Sequence, residues 1–208
     1  MRNLLAALAV FLLFNSVTFA QFKKEKSVFG FKAGVNISGF RTAVDYADFE
    51  SQPKAGQVFG GFVNIPVSPR WSLQPEFLYS QLGTRSNSTT WGNATFRYNY
   101  FSMPLVMKYR ITKCLNAFAG GDANFLIRAT LKGDVHKEYV TNDIKDFDFA
   151  YTAGIGADSK RWTFDARYIH GTQDVSPDAS HTTFFNKAIQ ATVGYKLIKK
   201  AKKPKASK

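Results

Sequence analysis

The stretch WSLQPEFLYSQLG, residues 71–83, alternates between apolar and polar side chains. Trp71, Phe77 and Tyr79 fall on one face of an extended chain, and Glu76 falls on the other. This period of two predicts a β-strand with one apolar and one polar face. In a soluble sheet the apolar face would enter the core and Glu76 would face water. In a membrane barrel the apolar face would meet lipid and Glu76 would be enclosed.

The composition restricts the class of protein. The chain has 208 residues, 20 of them Phe, and a single cysteine, so we expect one ordered domain without a disulfide framework. About half of the net charge of +13 comes from the C-terminal residues 199–208, which contain six lysines. Nucleic-acid binding is not expected, because no basic helix that could read a groove is predicted and the chain is predicted to be exported.

The first twenty residues differ from the rest of the chain. In MRNLLAALAVFLLFNSVTFA, residues 1–20, the basic Arg2 precedes an apolar run from Leu4 to Phe14. This arrangement is typical of a secretory signal peptide, and the apolar run is too short to span a membrane as a helix. The mature chain is therefore predicted to be exported and to cross a membrane only as strands.

Eight segments share the alternation of the opening stretch. They are residues 29–38, 57–67, 71–83, 98–110, 115–127, 146–158, 161–171 and 187–197. Each is about as long as a tilted strand that crosses a bilayer. Pro66, Pro75 and Pro104 lie within these segments and remove ladder donors, so bulges or strand ends are expected there.

The connections between the segments alternate in length. Three are short, around residues 68–70, 111–114 and 158–161, and four are long, at 40–56, 82–94, 130–145 and 172–186. Bacterial outer-membrane barrels combine short periplasmic turns with long outer loops. The sequence thus predicts an all-β fold, an eight-stranded antiparallel up-and-down transmembrane β-barrel over residues 21–198. Its place would be the outer membrane, with both termini and the lysine-rich tail (199–208) in the periplasm.

Aromatic residues at the strand ends predict a girdle at each membrane interface. The predicted members are Trp71, Tyr109, Trp162 and Tyr195 on the periplasmic side and Tyr79, Phe147 and Tyr168 on the outer side.

The alternation turns charged side chains into the barrel. The predicted interior charges are Lys32, Glu76, Lys108, Arg110, Asp122, Asp148, Asp165, Arg167 and Lys196. Four acids against five bases favour mutual pairing over an ion-selective lumen. An eight-stranded barrel is just wide enough to be filled by side chains, so no open channel is expected. Glu76 is predicted to lie inside and to pair with Arg167 or a lysine.

Motifs for catalysis, cofactor binding and metal binding are not found in the sequence. The polar residues that could suggest a catalytic site are His136, His170, His181, Ser176, Asp178 and Ser180. Nothing orients them as a triad requires, so no enzymatic activity, cofactor or metal is expected. We predict a structural or partner-binding role. The alternatives are a narrow pore or small-solute permease and a lipid-modifying enzyme with its site at the outer rim.

Six segments carry a family likeness. They are FGFKAGVNIS (29–38), SLQPEFLYSQLG (72–83), MPLVMKYRI (103–111), AFAGGDANFLI (117–127), FDFAYTAGIGA (147–157) and FDARYIHGT (164–172). In these the chain resembles the PorT-like outer-membrane β-barrel family common in Bacteroidetes. The resemblance implies a barrel surrounded by outer-membrane lipid and, through the founding member's link to protein secretion, an envelope or secretion-system protein as partner. The chain departs from the usual barrel ending, because lysine-rich residues follow Leu197.

Overall fold

The structure, a computed structural model, describes residues 26–42, 50–88, 92–132, 137–139, 147–173 and 184–197. The predicted signal peptide and the lysine-rich tail lie outside these ranges. Within them, no helix is long and apolar enough to span a bilayer.

Nine strands form one antiparallel sheet in the described part of the chain. They are β1 (Val28–Thr42), β2 (Glu50–Pro66), β3 (Trp71–Ser88), β4 (Gly92–Arg110), β5 (Leu115–Lys132), β6 (Lys137–Tyr139), β7 (Phe147–Asp158), β8 (Trp162–Gly171) and β9 (Phe184–Leu197). The order is β4-β3-β2-β1-β9-β8-β7-β5, and β4 also pairs with β5, which closes the ring. The three-residue β6 adds only to the end of β5. The predicted eight-stranded barrel is confirmed.

The barrel has its apolar residues outside and its charges inside. Phe31 and Ile155 point outward with 63% and 66% of their surface exposed, whereas Glu76 is 0% exposed. A soluble protein would not bury a carboxylate while it exposes rows of aromatic and aliphatic side chains. The same arrangement is expected where lipid surrounds the barrel. The face of residues 71–79 that carries Trp71 therefore meets lipid, and Glu76 is enclosed.

The strands extend further than the sequence predicted. β3 continues to Ser88 and β4 begins at Gly92, so most of the predicted loop at 82–94 is strand. The other three predicted loops, 40–56, 130–145 and 172–186, likewise lose residues to strand ends and to β6. The reason is that outward positions beyond the lipid-facing band become polar, as in the cross-strand pair Gln81–Asn99. The apolar alternation ends there, although the backbone ladder continues.

Pro75 and Pro104 interrupt the ladders without changing their register. Pairing of β2 with β3 stops after Phe62–Glu76 and resumes at Ile65–Leu73 in the same register, on either side of Pro75. Pro104 has the same effect between β3 and β4. The bulges expected at these two prolines are therefore not found, and the register shifts in these ladders occur elsewhere, near Pro53–Val58 and Asn99–Tyr100. Pro66 ends β2, as expected.

The lipid-facing band predicts a strong penalty for charge at its centre. Leu105 lies midway between Tyr109 and Phe101 on the outward face of β4 and is half exposed. Leu105→Arg should lower the free energy of unfolding by about 2–4 kcal/mol, as expected for arginine near the bilayer midplane. Urea unfolding in lipid vesicles measures this change. The control is Gln57→Arg, since Gln57 also faces outward but lies at the polar edge of the band; equal costs at the two positions would contradict the assigned band.

Candidate functional site

A chain of ion pairs crosses the centre of the lumen. Lys32 Nζ lies 2.8 Å from Glu76 Oε1 and 2.9 Å from Asp165 Oδ2. Arg167 Nη2 donates to both Glu76 oxygens at 3.0 Å, and Lys108 Nζ lies 3.1 Å from Asp165 Oδ1. All five side chains are buried. They come from β1, β3, β4 and β8, so the pairs connect strands from different parts of the ring.

Two aromatic rings line this chain of ion pairs. Lys32 Nζ lies 5.3 Å from the ring centroid of Phe62. The Phe118 ring lies 5.3 Å from Lys108 Nζ and 5.2 Å from the guanidinium carbon of Arg167. At such distances the face of a ring attracts a cation. Each cation of the network therefore has an aromatic neighbour in addition to a carboxylate.

Glycines make room for these rings. Phe62 pairs across the ladder with Gly30, and Phe118 pairs with Gly154. A Cβ at Gly30 would lie 2.4 Å from Cζ of Phe62, and a Cβ at Gly154 would lie 2.8 Å from Cζ of Phe118. Both distances are far below van der Waals contact. Any larger residue at Gly30 or Gly154 would therefore clash with the ring and also with a backbone carbonyl oxygen, that of Tyr195 at 2.6 Å or that of Ala166 at 2.3 Å.

An apolar cluster fills the lumen on the long-loop side of the ion pairs. Its buried members are Leu82, Tyr98, Tyr100, Ala129, Ala150, Ile169 and Ala188. At the same level, Asn186 Nδ2 donates to Asp148 Oδ2 at 2.8 Å and lies 3.4 Å from the Tyr100 hydroxyl. Closer to the ion pairs, Gln190 Nε2 donates to Asn36 Oδ1 at 2.9 Å. The lumen is thus filled by side chains in successive layers.

The structure brings most of the predicted interior charges into the lumen. Seven of them are buried there: Lys32, Glu76, Lys108, Asp122, Asp148, Asp165 and Arg167. Asp122 and Asp148 each have a buried Oδ1 without a hydrogen-bond partner among the described residues.

Arg110 and Lys196 lie at the open end of the lumen and not in its enclosed part. Arg110 is exposed at the end of β4 and donates to the carbonyl of Pro69, and Lys196 is half-buried and pairs with Asp158. Both lie at strand ends, where the lumen opens to solvent and inward positions are no longer enclosed.

Lys54 is a buried interior cation that the sequence reasoning missed. It lies on β2 within residues 40–56, which were predicted to form a loop, and its Nζ has no hydrogen-bond partner in the described part of the chain. With Lys54 included, the described lumen holds four buried bases and four buried acids. The only available signal in the sequence was that Lys54 lies four residues before the inward Val58 and so falls on the same face of the strand. The signal is weak because the outward residues between them are not distinctly apolar.

The lumen widens at the short-turn end into a basic cavity of about 690 Å³. Its charged lining residues are Arg70, Lys108, Arg110, Lys113, Lys160, Lys196 and Asp158. Cys114, which is an exposed free thiol, also lines this cavity.

Two similar aromatic units lie at the same end. Trp71 and Tyr109 are cross-strand partners with ring centroids 4.8 Å apart, and Trp162 and Tyr195 are cross-strand partners 5.1 Å apart. In each unit the arginine before the tryptophan donates to the tyrosine hydroxyl, Arg70 to Tyr109 at 3.3 Å and Arg161 to Tyr195 at 3.0 Å.

The three residues predicted for the outer girdle also face outward. Tyr79 lies 5.0 Å from the ring of Phe59, and Phe147 lies 5.3 Å from that of Phe125. Tyr168 lies 6.2 Å from the imidazole of His170. Their role at an interface stays a prediction.

The residues that could have suggested catalysis are not brought together by the described structure. His170 lies in β8, while His136, His181, Ser176, Asp178 and Ser180 fall outside the described residues. Within the described ranges, no group of three or more His, Cys, Asp and Glu side chains could hold a metal ion.

Comparison with known proteins identifies the family. Residues 19–196 match the outer membrane protein β-barrel domain family, and the chain belongs to this family. No curated protein matches the sequence. The fold is similar to that of Ail, the attachment invasion locus protein of Yersinia pestis, with 14% identity, 83% of this chain and 100% of that chain covered and a TM-score of 0.50. It is also similar to Neisserial surface protein A, with 10% identity, 83% and 100% covered and a TM-score of 0.53. The chain is thus an outer-membrane β-barrel protein.

The ion-pair chain predicts energetic coupling across the lumen. Glu76→Gln leaves the buried Lys32 and Arg167 with a weaker partner, and loss of one member of a buried pair typically costs about 3–5 kcal/mol. The double variant Glu76→Gln/Arg167→Met should cost less than the sum of the two single changes, because both disrupt one interaction. Urea unfolding of the three variants in lipid vesicles measures the coupling.

The matched control for this cycle is Lys196→Met. Lys196 also pairs with an aspartate, but the pair is partly exposed, and such pairs contribute about 1 kcal/mol or less. Additive effects of the Glu76 and Arg167 changes would show that their contact contributes nothing to stability.

Proposed function

We propose that the chain acts as a sealed outer-membrane barrel with a structural or partner-binding role, and not as a pore. The observation that carries this proposal is the run of buried ion pairs from Arg167 through Glu76, Lys32 and Asp165 to Lys108. These side chains reach across the lumen and meet at its centre. A solute could pass only if the ion pairs separated within the enclosed barrel.

The charge balance of the lumen supports the same proposal. Rings of like charge are the usual means by which a pore selects ions. Here four buried bases face four buried acids among the described residues, and the main partners contact one another directly. Opposite charges in direct contact offset the cost of removing each from water. Such a lumen is suited to holding strands together, and we assign no catalytic role to it.

A sealed barrel is expected to conduct no ions. The purified full chain, reconstituted into planar bilayers, should give no steady single-channel conductance, because the ion pairs and the apolar cluster around Tyr100 obstruct the lumen in series. A porin in the same bilayers serves as the positive control. Steady conductance whose ion selectivity changes in the Glu76→Gln variant would overturn the proposal in favour of a narrow pore.

We further propose that the long-loop end faces the cell exterior and that both termini lie in the periplasm. The support is the contrast between the short connections at one end, such as 111–114, and the longer extensions of β3 and β4 at the other. A protein partner in the envelope would then meet the basic cavity at the short-turn end, whose charge suits an acidic segment. The resemblance to PorT-like proteins makes a component of a secretion system one such partner.

The single native cysteine tests this orientation. Cys114 is exposed in the turn between β4 and β5, so a membrane-impermeant maleimide should label it only after the outer membrane is permeabilised. In a Cys114→Ser background, Asn87→Cys near the end of β3 should react in intact cells. Labelling of Cys114, but not of position 87, in intact cells would reverse the orientation.

A further inference from the structure

Three arginines face outward on neighbouring strands at the long-loop end of the barrel. They are Arg85 on β3, Arg97 on β4 and Arg128 on β5, and all three are exposed. Arg97 is directly opposite Gly83 and Thr130, Arg128 is opposite Asn99, and Arg85 is opposite Thr95.

This register places the arginines on a diagonal. Each is displaced by one strand and two residues from the next, a relation that puts neighbouring positions about 7–8 Å apart. On the β5 side, Thr95 is opposite Lys132, which lies two residues beyond Thr130. Lys132 is therefore also diagonal to Arg97. The four side chains thus form one basic surface patch, defined by Arg85, Arg97, Arg128 and Lys132.

The basic patch lies just beyond the lipid-facing band. On the outward face of β4, positions Tyr109 to Phe101 are uncharged, and Asn99 and Arg97 follow. For a strand tilted by about 40°, the height from Tyr109 to Arg97 is about 30 Å. The apolar band of such barrels is about 25 Å tall, so the Arg97 backbone lies roughly 5 Å past its edge, at headgroup level.

The described outward side chains that carry charge at this level are all cations. Lys187 on β9 is a further exposed outward cation at the same end. Among the outward side chains that the structure describes at this end, no Asp or Glu is found. A surface that continues the lipid-facing band, and whose described charged side chains are all cations, is complementary to anionic headgroups. Arginine in particular matches phosphate, because its planar guanidinium donates two parallel hydrogen bonds.

We propose that the basic patch binds the phosphate groups of a phosphorylated glycolipid in the outer leaflet. The choice of leaflet rests on the orientation proposed above, but the match between the patch and lipid phosphate does not. Bound lipid of this kind would fill the outward grooves between the side chains of β3, β4 and β5. It would thereby fix the depth of the barrel on this side.

The test compares two double variants of the full chain in detergent. Diphosphoryl lipid A is the probe, and native mass spectrometry measures its binding. Arg85→Gln/Arg97→Gln should bind it about 25-fold more weakly than the unmodified protein, since each surface cation contributes about fivefold to anionic lipid binding. The control Lys26→Gln/Arg161→Gln removes two exposed cations at the opposite end, outside the basic cavity, and should leave binding unchanged.

Four outcomes would overturn the proposal. If the arginine and control variants bound lipid A equally well, the basic patch would be excluded as the binding site. If the unmodified protein bound dephosphorylated and diphosphoryl lipid A equally well, phosphate would be excluded as the recognised group. Displacement of lipid A by millimolar inorganic phosphate would indicate a site for a free anion. If the arginine variant does not fold, the comparison of the two lipid A forms on the unmodified chain decides. A preference for phosphatidylglycerol over lipid A would place the patch in the inner leaflet, and cysteine labelling shows independently whether the orientation itself is reversed.

Discussion

The structure depends on one electrostatic constraint: the charges at the centre of a filled eight-stranded barrel can be compensated only by one another. Lys32 satisfies this constraint for two carboxylates, Glu76 and Asp165, which come from strands that are not neighbours in the ring. Neither acid can be hydrated in the filled lumen, so each must stay within contact distance of Lys32. The position of Lys32 therefore limits the distance between β3 and β8 across the lumen. Arg167 and Lys108 complete the arrangement, so that three cations contact two carboxylates at the centre.

The wall is adapted to this centre. Gly30 and Gly154 leave room for the rings of Phe62 and Phe118, and those rings lie against the three cations. Small residues in the wall and large residues in the lumen are therefore two parts of one packing solution. The outer face of the wall has the opposite requirement: lipid excludes charge, so the outward side chains stay apolar up to the level of the headgroups. Inner and outer faces are thus independent in chemistry, although they alternate along the same strands.

Much of this was predictable from the sequence, and the failures have physical causes. The period of two assigned each central residue to the correct face, because lipid and lumen make opposite demands on adjacent positions. It also suggested the contact between Glu76 and Arg167. It could not identify Lys32 as the bridge, since contacts across a lumen depend on strand tilt and stagger, which no local pattern encodes. The strand ends were wrong, and Lys54 was missed, because beyond the lipid the outward residues are polar and the two faces no longer differ. Alternation also does not show where enclosure ends, so it did not distinguish Arg110 and Lys196 at the open end of the lumen from the enclosed charges.

The two units of arginine, tryptophan and tyrosine at the short turns have a mechanical consequence. One lies on β3 and β4 and the other on β8 and β9, and the order of strands puts them on opposite sides of the ring. Tilting the barrel towards either unit would push one set of rings into hydrocarbon and lift the other into water, and amphipathic rings resist both displacements. Tilting about the line that joins the units moves neither set. With both units at the membrane interface, as the sequence predicts, the barrel would therefore have a stiff and a soft rocking direction, and the soft one would point towards β1 and β2 on one side and β5 and β7 on the other.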